Sequence, residues 1–206
     1  MYLLSEDAEV LSRYDKIDLL PFAEYLPFGH LPLLEAFFGR FREFARGGPS
    51  GLLLTRAGAA GVLVCNEAVL PEAARARARE GAVFLVNPSN DSWSRHPMFT
   101  GQWFDIVRFR AIEQRRYLVR ASTSGPSAII DPWGRVLTQT KRYARDATAA
   151  RIEPRHELSF YGRVGDLFSL LCTAAVSFAL VAPAMRRLEG DSKRHELGRV
   201  DPLRGA

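Results

Sequence analysis

A short apolar run, Val62-Leu63-Val64, leads directly into a cysteine, Cys65. The run is typical of a buried strand, and Pro71 marks the start of a helix a few residues later. A thiol between the end of a strand and the start of a helix is favoured as its nucleophilic thiolate. The pattern therefore indicates a nucleophile, although the spacing alone is met more often by a small buried cysteine without chemistry.

A thiol that attacks a carbonyl carbon needs further groups of particular types around it. A carboxylate must take and return the thiol proton, and a cation or donor must stabilise the oxyanion. Lys16 and Glu24 lie in the upstream segment Tyr14 to Pro27, and Glu67 follows Cys65 closely. Taken singly, each of these charged residues is also consistent with a surface charge or a charge at a helix N-terminus.

Strands and helices alternate along the part of the chain that must position these residues. The expected elements are a hairpin of Tyr2 to Leu4 with Val10 to Arg13, strand Val62 to Val64, helix Pro71 to Glu80, strand Ala82 to Val86, helix Gln102 to Arg115, strand Tyr117 to Ala121, and a hairpin of Ala128 to Ile130 with Arg135 to Thr138. Leu31 to Phe44 is compatible with an amphipathic helix or a lipid-facing loop. This rhythm predicts an α/β fold.

The composition limits the classes of protein to which the chain can belong. Its 206 residues are 47% hydrophobic and 25% charged, as expected for one folded domain. The formal charge of +5 comes from dispersed arginines, of which Arg75, Arg77 and Arg79 are predicted to form a solvated helix face. No nucleic-acid partner is inferred. Two cysteines, Cys65 and Cys172, cannot form a disulfide framework, and neither indicates a metal site.

An uncharged apolar run, Leu167 to Met185, lies near the C-terminus between Asp166 and the pair Arg186-Arg187. Its length is close to the roughly 20 residues that a spanning helix requires, so the run predicts a transmembrane helix. The arginines after it place the tail in the cytoplasm and the preceding domain outside. The alternative interpretation is a buried core helix. Met1 to Asp7 lacks the pattern of a secretory signal.

A series of segments resembles, in order and spacing, the carbon-nitrogen hydrolase (nitrilase) superfamily and, within it, the apolipoprotein N-acyltransferase family. The segments are Tyr14 to Pro27, Val62 to Glu67, Phe84 to Trp93, Arg108 to Glu113, Ser124 to Ser127, Asp131 to Arg135 and Phe160 to Asp166. The resemblance implies a four-layer α-β-β-α sandwich. It also implies three parts: a hydrolase-like domain at 1–160, a transmembrane helix at 167–185 and a basic cytoplasmic tail at 186–206.

The resemblance also implies roles for individual residues. Cys65 matches the family's nucleophile, Lys16 the lysine that stabilises the tetrahedral intermediate, and Glu24 an accessory glutamate. Glu67 matches the acidic residue after the nucleophile, where a carboxylate can order the turn or orient the lysine. Substrate-binding residues are expected in a polar loop after a strand, and they are Asn90, Asp91 and Trp93. The ordinary alternative for that loop is turn formation.

The implied reaction moves an acyl chain from a phospholipid to the N-terminal amine of an apolipoprotein through a cysteine thioester. It needs no cofactor and no metal. The expected location is the bacterial inner membrane, with the catalytic domain facing the periplasm.

Some family features are not matched. The superfamily's general-base glutamate precedes the lysine block, and Glu6 and Glu9 do not lie in such a motif. The chain is therefore expected to be the incomplete C-terminal portion of an enzyme, which a separate N-terminal portion would complete. Asp18 and Asn66 also depart from the family pattern. The alternatives are a soluble amidase-like carbon-nitrogen hydrolase, or a non-catalytic remnant or half of a split enzyme.

Overall fold

The computed structural model of the chain describes residues 1–27, 43–93 and 96–197, with side chains up to Pro183. The chain divides into two compact units, residues 1–163 and 164–206. The helix or loop predicted from Leu31 to Phe44 lies almost entirely outside the described residues, and the predicted tail is described only as far as Leu197.

One six-stranded sheet forms the centre of the first unit. A separate hairpin precedes it, made of β1 (Tyr2–Leu4) and β2 (Val10–Arg13) in antiparallel pairing. The sheet strands, which are also neighbours in chain order, are β3 (Leu52–Thr55), β4 (Gly58–Val62), β5 (Phe84–Ser89), β6 (Leu118–Ser122), β7 (Ala128–Ile130) and β8 (Val136–Gln139). Strands β4, β5 and β6 are parallel, while the outer strands pair antiparallel.

Two helices connect the parallel strands and cover the sheet. Helix α1 (Pro71–Arg79) joins β4 to β5, and α2 (Pro97–Gln114) joins β5 to β6. Each begins with proline, whose missing N–H costs nothing in the first turn of a helix. The main core lies between the helices and the sheet, where Ala74 and Val107 pack with Leu85 and Leu118. Period-2 alternation then places Asn87 on the same face of β5 as Leu85.

The α/β prediction is confirmed, and most of the predicted elements are present with shifted bounds. The hairpin β1–β2 is confirmed with Tyr2 opposite Arg13. The strand expected at Val62 to Val64 occurs instead at Gly58–Val62, because the chain turns into a 3-10 helix at Cys65–Val69. Strand β3 was not predicted. The described part of the chain contains the six-stranded sheet with its helices and the two-stranded hairpin β1–β2, which is part of the expected four-layer sandwich.

Two further helices follow the sheet: α3 (Phe160–Val164) and α4 (Leu167–Leu197). Among the residues described here, no helix is both long enough and apolar enough to cross a membrane. The prediction of a transmembrane helix at Leu167 to Met185 is therefore not supported.

Candidate functional site

Cys65 lies at the carboxyl edge of the parallel strands, where the chain leaves β4. Cys65 is half-buried, and its backbone φ angle is 54°. Positive φ is uncommon outside glycine, so the backbone turns sharply at this residue. A cavity of about 580 Å³ opens beside it, and its described lining is Glu24, Val64, Cys65, Pro88, Ser89, Asn90, Ala121, Ser122 and Thr123. The ends of β5 and β6 thus form one wall of the cavity.

Glu67 ties the lysine segment to the Cys65 turn. Its side chain is fully buried, and one carboxylate oxygen accepts hydrogen bonds from the Tyr14 hydroxyl at 2.7 Å and the Ile17 amide at 2.8 Å. The other oxygen accepts from the Val64 amide at 2.6 Å. Burial, together with the adjacent Glu67 carboxylate, raises the pKa of Tyr14, which therefore stays a donor. This geometry fixes Tyr14 to Asp18 against the Cys65 turn.

Lys16 and Glu24 form a two-pronged ion pair in the loop that follows β2. The Lys16 ammonium lies 2.7 and 2.6 Å from the two carboxylate oxygens of Glu24, and the Leu20 amide donates to Glu24 at 2.7 Å. The side chains are 13% and 26% exposed. Glu24 also lines the Cys65 cavity, whereas Lys16 lines a neighbouring cavity that shares Glu24.

The three residues predicted to bind substrate occupy different environments. Asn90 lines the cavity, where its side-chain oxygen accepts hydrogen bonds from Ser92 and from Thr123 at 2.8 Å. Trp93 is 60% exposed and packs edge-on against Phe99 with ring centroids 4.9 Å apart. Asp91, by contrast, is buried, and both its carboxylate oxygens bind other groups of the protein.

Sequence reasoning missed the partner of Asp91, which is Arg120 on β6. One guanidinium nitrogen of Arg120 donates to Asp91 at 2.6 Å, and another donates to the Asn87 side-chain oxygen. Burial opposes ionisation of Asp91, but hydrogen bonds from Ser122 and Ser89 and the charge of Arg120 outweigh it and lower the pKa of Asp91. Burial lowers the pKa of Arg120, against the attraction of Asp91.

Two signals pointed to this cluster. Asn87 and Ser89 alternate with apolar residues on β5, and Arg120 and Ser122 alternate with apolar residues on β6. Polar side chains at the carboxyl ends of adjacent parallel strands lie close together in space. In the described part of the chain, no group of three or more His, Cys, Asp or Glu residues could hold a metal ion.

Residues 1–156 match the family model of the carbon-nitrogen hydrolases. The chain belongs to the carbon-nitrogen hydrolase family. Relatives include the apolipoprotein N-acyltransferase of Geobacter metallireducens, which is 36% identical over 187 residues. That match covers 90% of this chain and 36% of the relative. The apolipoprotein N-acyltransferase of Gloeobacter violaceus is 34% identical over 91% of this chain and 37% of its own length. The chain thus spans about a third of these relatives.

Solved structures of the carbon-nitrogen hydrolase family share the fold. The carbon-nitrogen hydrolase of Helicobacter pylori G27 superposes with a TM-score of 0.51 at 21% identity, covering 68% of this chain and 51% of that one. A variant of the amidase from Nesterenkonia sp. AN1 gives a TM-score of 0.52 at 22% identity, covering 82% of this chain and 61% of that one. Identities this low support the shared α/β fold alone.

Proposed function

We propose that this chain carries the nucleophile of an N-acyltransferase that moves an acyl chain from a phospholipid to the N-terminal amine of an apolipoprotein. The observation that carries the proposal is Cys65 itself, held at positive φ beside a cavity that Glu24 and the ends of β5 and β6 also line. The names of the relatives at 36% and 34% identity support acyl transfer as the reaction class.

The proposed reaction has two steps. In the first, the Cys65 thiolate attacks the ester carbonyl of a glycerophospholipid, so that a carbon–sulfur bond forms and the ester carbon–oxygen bond breaks. The departing alkoxide takes up the proton that the thiol released, and it leaves as a lysophospholipid. In the second step the acceptor amine attacks the thioester. An amide forms, the amine loses a proton, and the sulfur leaves as a thiolate.

Lys16 is proposed to stabilise the oxyanion that forms in each step. An ammonium has three N–H donors, and in the described contacts two of them bind Glu24, which leaves one for an oxyanion. Glu24 fixes the position of the ammonium. Glu67, with its carboxylate buried among Tyr14 and backbone amides, is proposed to order the turn rather than touch substrate.

Glu24 is the one carboxylate among the described residues that line the Cys65 cavity. Both of its oxygens accept hydrogen bonds from Lys16, and one also accepts from the Leu20 amide, so the described contacts commit Glu24 to this ion pair. Loss of general-base catalysis typically costs on the order of 100- to 10,000-fold in rate. We therefore expect the 206-residue chain to form the thioester slowly with phospholipid, and faster with an activated fatty-acyl ester.

The test is to incubate the chain with a p-nitrophenyl fatty-acyl ester and to locate the adduct by mass spectrometry. The acyl group is expected on Cys65, and Cys65→Ala should abolish it, whereas the matched Cys172→Ala variant should label normally. Adding a lipopeptide with a free N-terminal amine should discharge the adduct to an amide. An adduct on Cys172 would remove the nucleophile assignment, and hydrolysis of short amides without acyl transfer would favour an amidase.

A further inference from the structure

We propose that Arg120 is a positioning residue for the nucleophile: through Asn87 it holds the Cys65 turn against the sheet. The proposal rests on the assignment of Cys65 as nucleophile and adds to it a buried group that acts from behind the cavity. Arg120 touches neither the proposed substrate nor the reacting carbonyl, so its effect is transmitted through other residues.

The register of the sheet brings Arg120 to the turn. In the parallel pairing of β5 with β6, Asn87 lies beside Arg120 and Ser89 lies beside Ser122. The Asn87 amide nitrogen donates to the carbonyl of Leu63 at 2.5 Å and to that of Cys65 at 3.3 Å. Asn87 therefore binds the backbone on both sides of Val64. Arg120 donates a hydrogen bond to the Asn87 side-chain oxygen and so fixes the orientation of the Asn87 amide.

The Cys65 turn needs such a restraint because its backbone is strained. A cysteine at a φ of 54° is held in a conformation that a free chain rarely adopts. Glu67 restrains the turn from the side of the lysine segment through the Val64 amide. Asn87, backed by Arg120, restrains it from the side of the sheet. The two contacts together hold the thiol toward the cavity.

Arg120 also acts on Cys65 by charge. Its side chain is fully buried, where charges interact strongly, and a Cys65 thiolate and the Arg120 guanidinium attract each other. Asp91 neutralises part of that charge at 2.6 Å, and Ser89 and Ser122 donate hydrogen bonds to the Asp91 carboxylate. The Arg120 Nε has no hydrogen-bond partner among the described residues, so it remains a buried donor.

The other charged groups near the thiol come from the loop after β2 and from the Cys65 turn. Glu24 lines the cavity and disfavours a thiolate, but Lys16 is paired with it and offsets its charge. Glu67 lies on the turn, with its carboxylate satisfied by Tyr14 and backbone amides. Among the described groups, the guanidinium of Arg120 is therefore the main source of positive charge on the sheet side of Cys65.

The experiment measures the rate at which iodoacetamide alkylates Cys65 as a function of pH, in a Cys172→Ser background. Arg120→Gln is expected to raise the midpoint pH of alkylation by about one unit and to slow the reaction at pH 7 roughly tenfold, which is the usual scale for losing an opposite charge. Arg120→Lys should recover most of the rate. Arg116→Gln is the matched control, since Arg116 is an equally buried arginine bound to carbonyls before β6 begins, and it should leave the midpoint unchanged.

Asp91→Asn keeps the shape of the side chain and should shift the midpoint pH of alkylation in the direction opposite to Arg120→Gln. It removes the negative charge that competes for Arg120, so the midpoint pH should fall. A purely structural role would shift the two variants in the same direction or not at all, and that result would overturn the proposal. Alkylation by iodoacetamide does not depend on acyl transfer. A chain that forms no acyl adduct on Cys65 would therefore contradict the proposed function, whereas the alkylation rates would still decide the role of Arg120.

Discussion

Two ion pairs flank the Cys65 cavity, and they differ in burial and in what surrounds them. Lys16 and Glu24 lie on a loop, with side chains 13% and 26% exposed. Arg120 and Asp91 lie at the ends of neighbouring strands, with side chains 0% and 7% exposed. Glu24 of the first pair lines the cavity, and both side chains of that pair keep some exposure to solvent. The second pair is enclosed by Asn87, Ser89 and Ser122, which bind it inside the protein, and the Arg120 Nε is buried as well.

The difference in burial predicts that the two ion pairs contribute differently to stability and to reaction rate. A buried ion pair adds little net stability when intact, since desolvation offsets the attraction. Removing one member, however, leaves an uncompensated charge in the core, which is costly. A partly exposed pair loses little because water replaces the missing partner. Residues of the same charge types thus have opposite expected profiles: one pair matters for stability, and the other for rate.

The largest expected effect is on the buried pair. Asp91→Ala should lower the free energy of unfolding by about 3–5 kcal/mol, because it strands the Arg120 guanidinium without a counter-charge. Urea unfolding followed by circular dichroism measures the change. Asp15→Ala is the control, since Asp15 pairs with Arg13 at the surface and should cost no more than about 1 kcal/mol. Equal losses from the two variants would contradict the distinction between buried and exposed pairs.

The next effect tests the packing against the Asp91 carboxylate. A Cβ on Gly125 would collide with an Asp91 carboxylate oxygen. The same Cβ would lie 3.3 Å from the Asp91 carboxyl carbon. Gly125→Ala should therefore push Asp91 away from Arg120 and cost about 1–3 kcal/mol of unfolding free energy, as overpacking usually does. A Cβ on Gly48 would meet nothing within 4 Å, so Gly48→Ala is the matched control. Indistinguishable unfolding curves for the two variants would show that the Asp91 site is not tightly packed.

Local patterns were enough to predict the elements that carry the site. The alternation of short apolar runs with a longer segment predicted β5, α2 and β6, and the polar residues between β1 and β2 predicted their hairpin. Arg110 and Glu113, three residues apart on α2, pair at 2.7 Å, as residues at this spacing on a helix can. These features depend on contacts between residues that are close in sequence.

Buried arginines could not be predicted, because distant contacts decide their burial. Arg77 was expected on a solvated helix face, yet it is 3% exposed and donates to the Val62 carbonyl and the Tyr14 hydroxyl. Arg120 looks like an edge charge in a strand until β5 places Asn87 and Asp91 beside it. In each case the hydrogen-bond acceptors lie far away in sequence. The spacing of residues around each arginine therefore does not identify its partners.

The smallest expected effect on stability belongs to Lys16. Lys16→Ala should lower the free energy of unfolding by no more than about 1 kcal/mol, because the pair with Glu24 is partly exposed. The same variant should slow acylation of Cys65 by an activated ester by on the order of 100-fold, since an oxyanion donor is worth that much or more. Stopped-flow release of p-nitrophenol gives the rate, and urea unfolding gives the stability. A loss of several kcal/mol with an unchanged acylation rate would reverse the assignment and make Lys16 an architectural residue like Arg120.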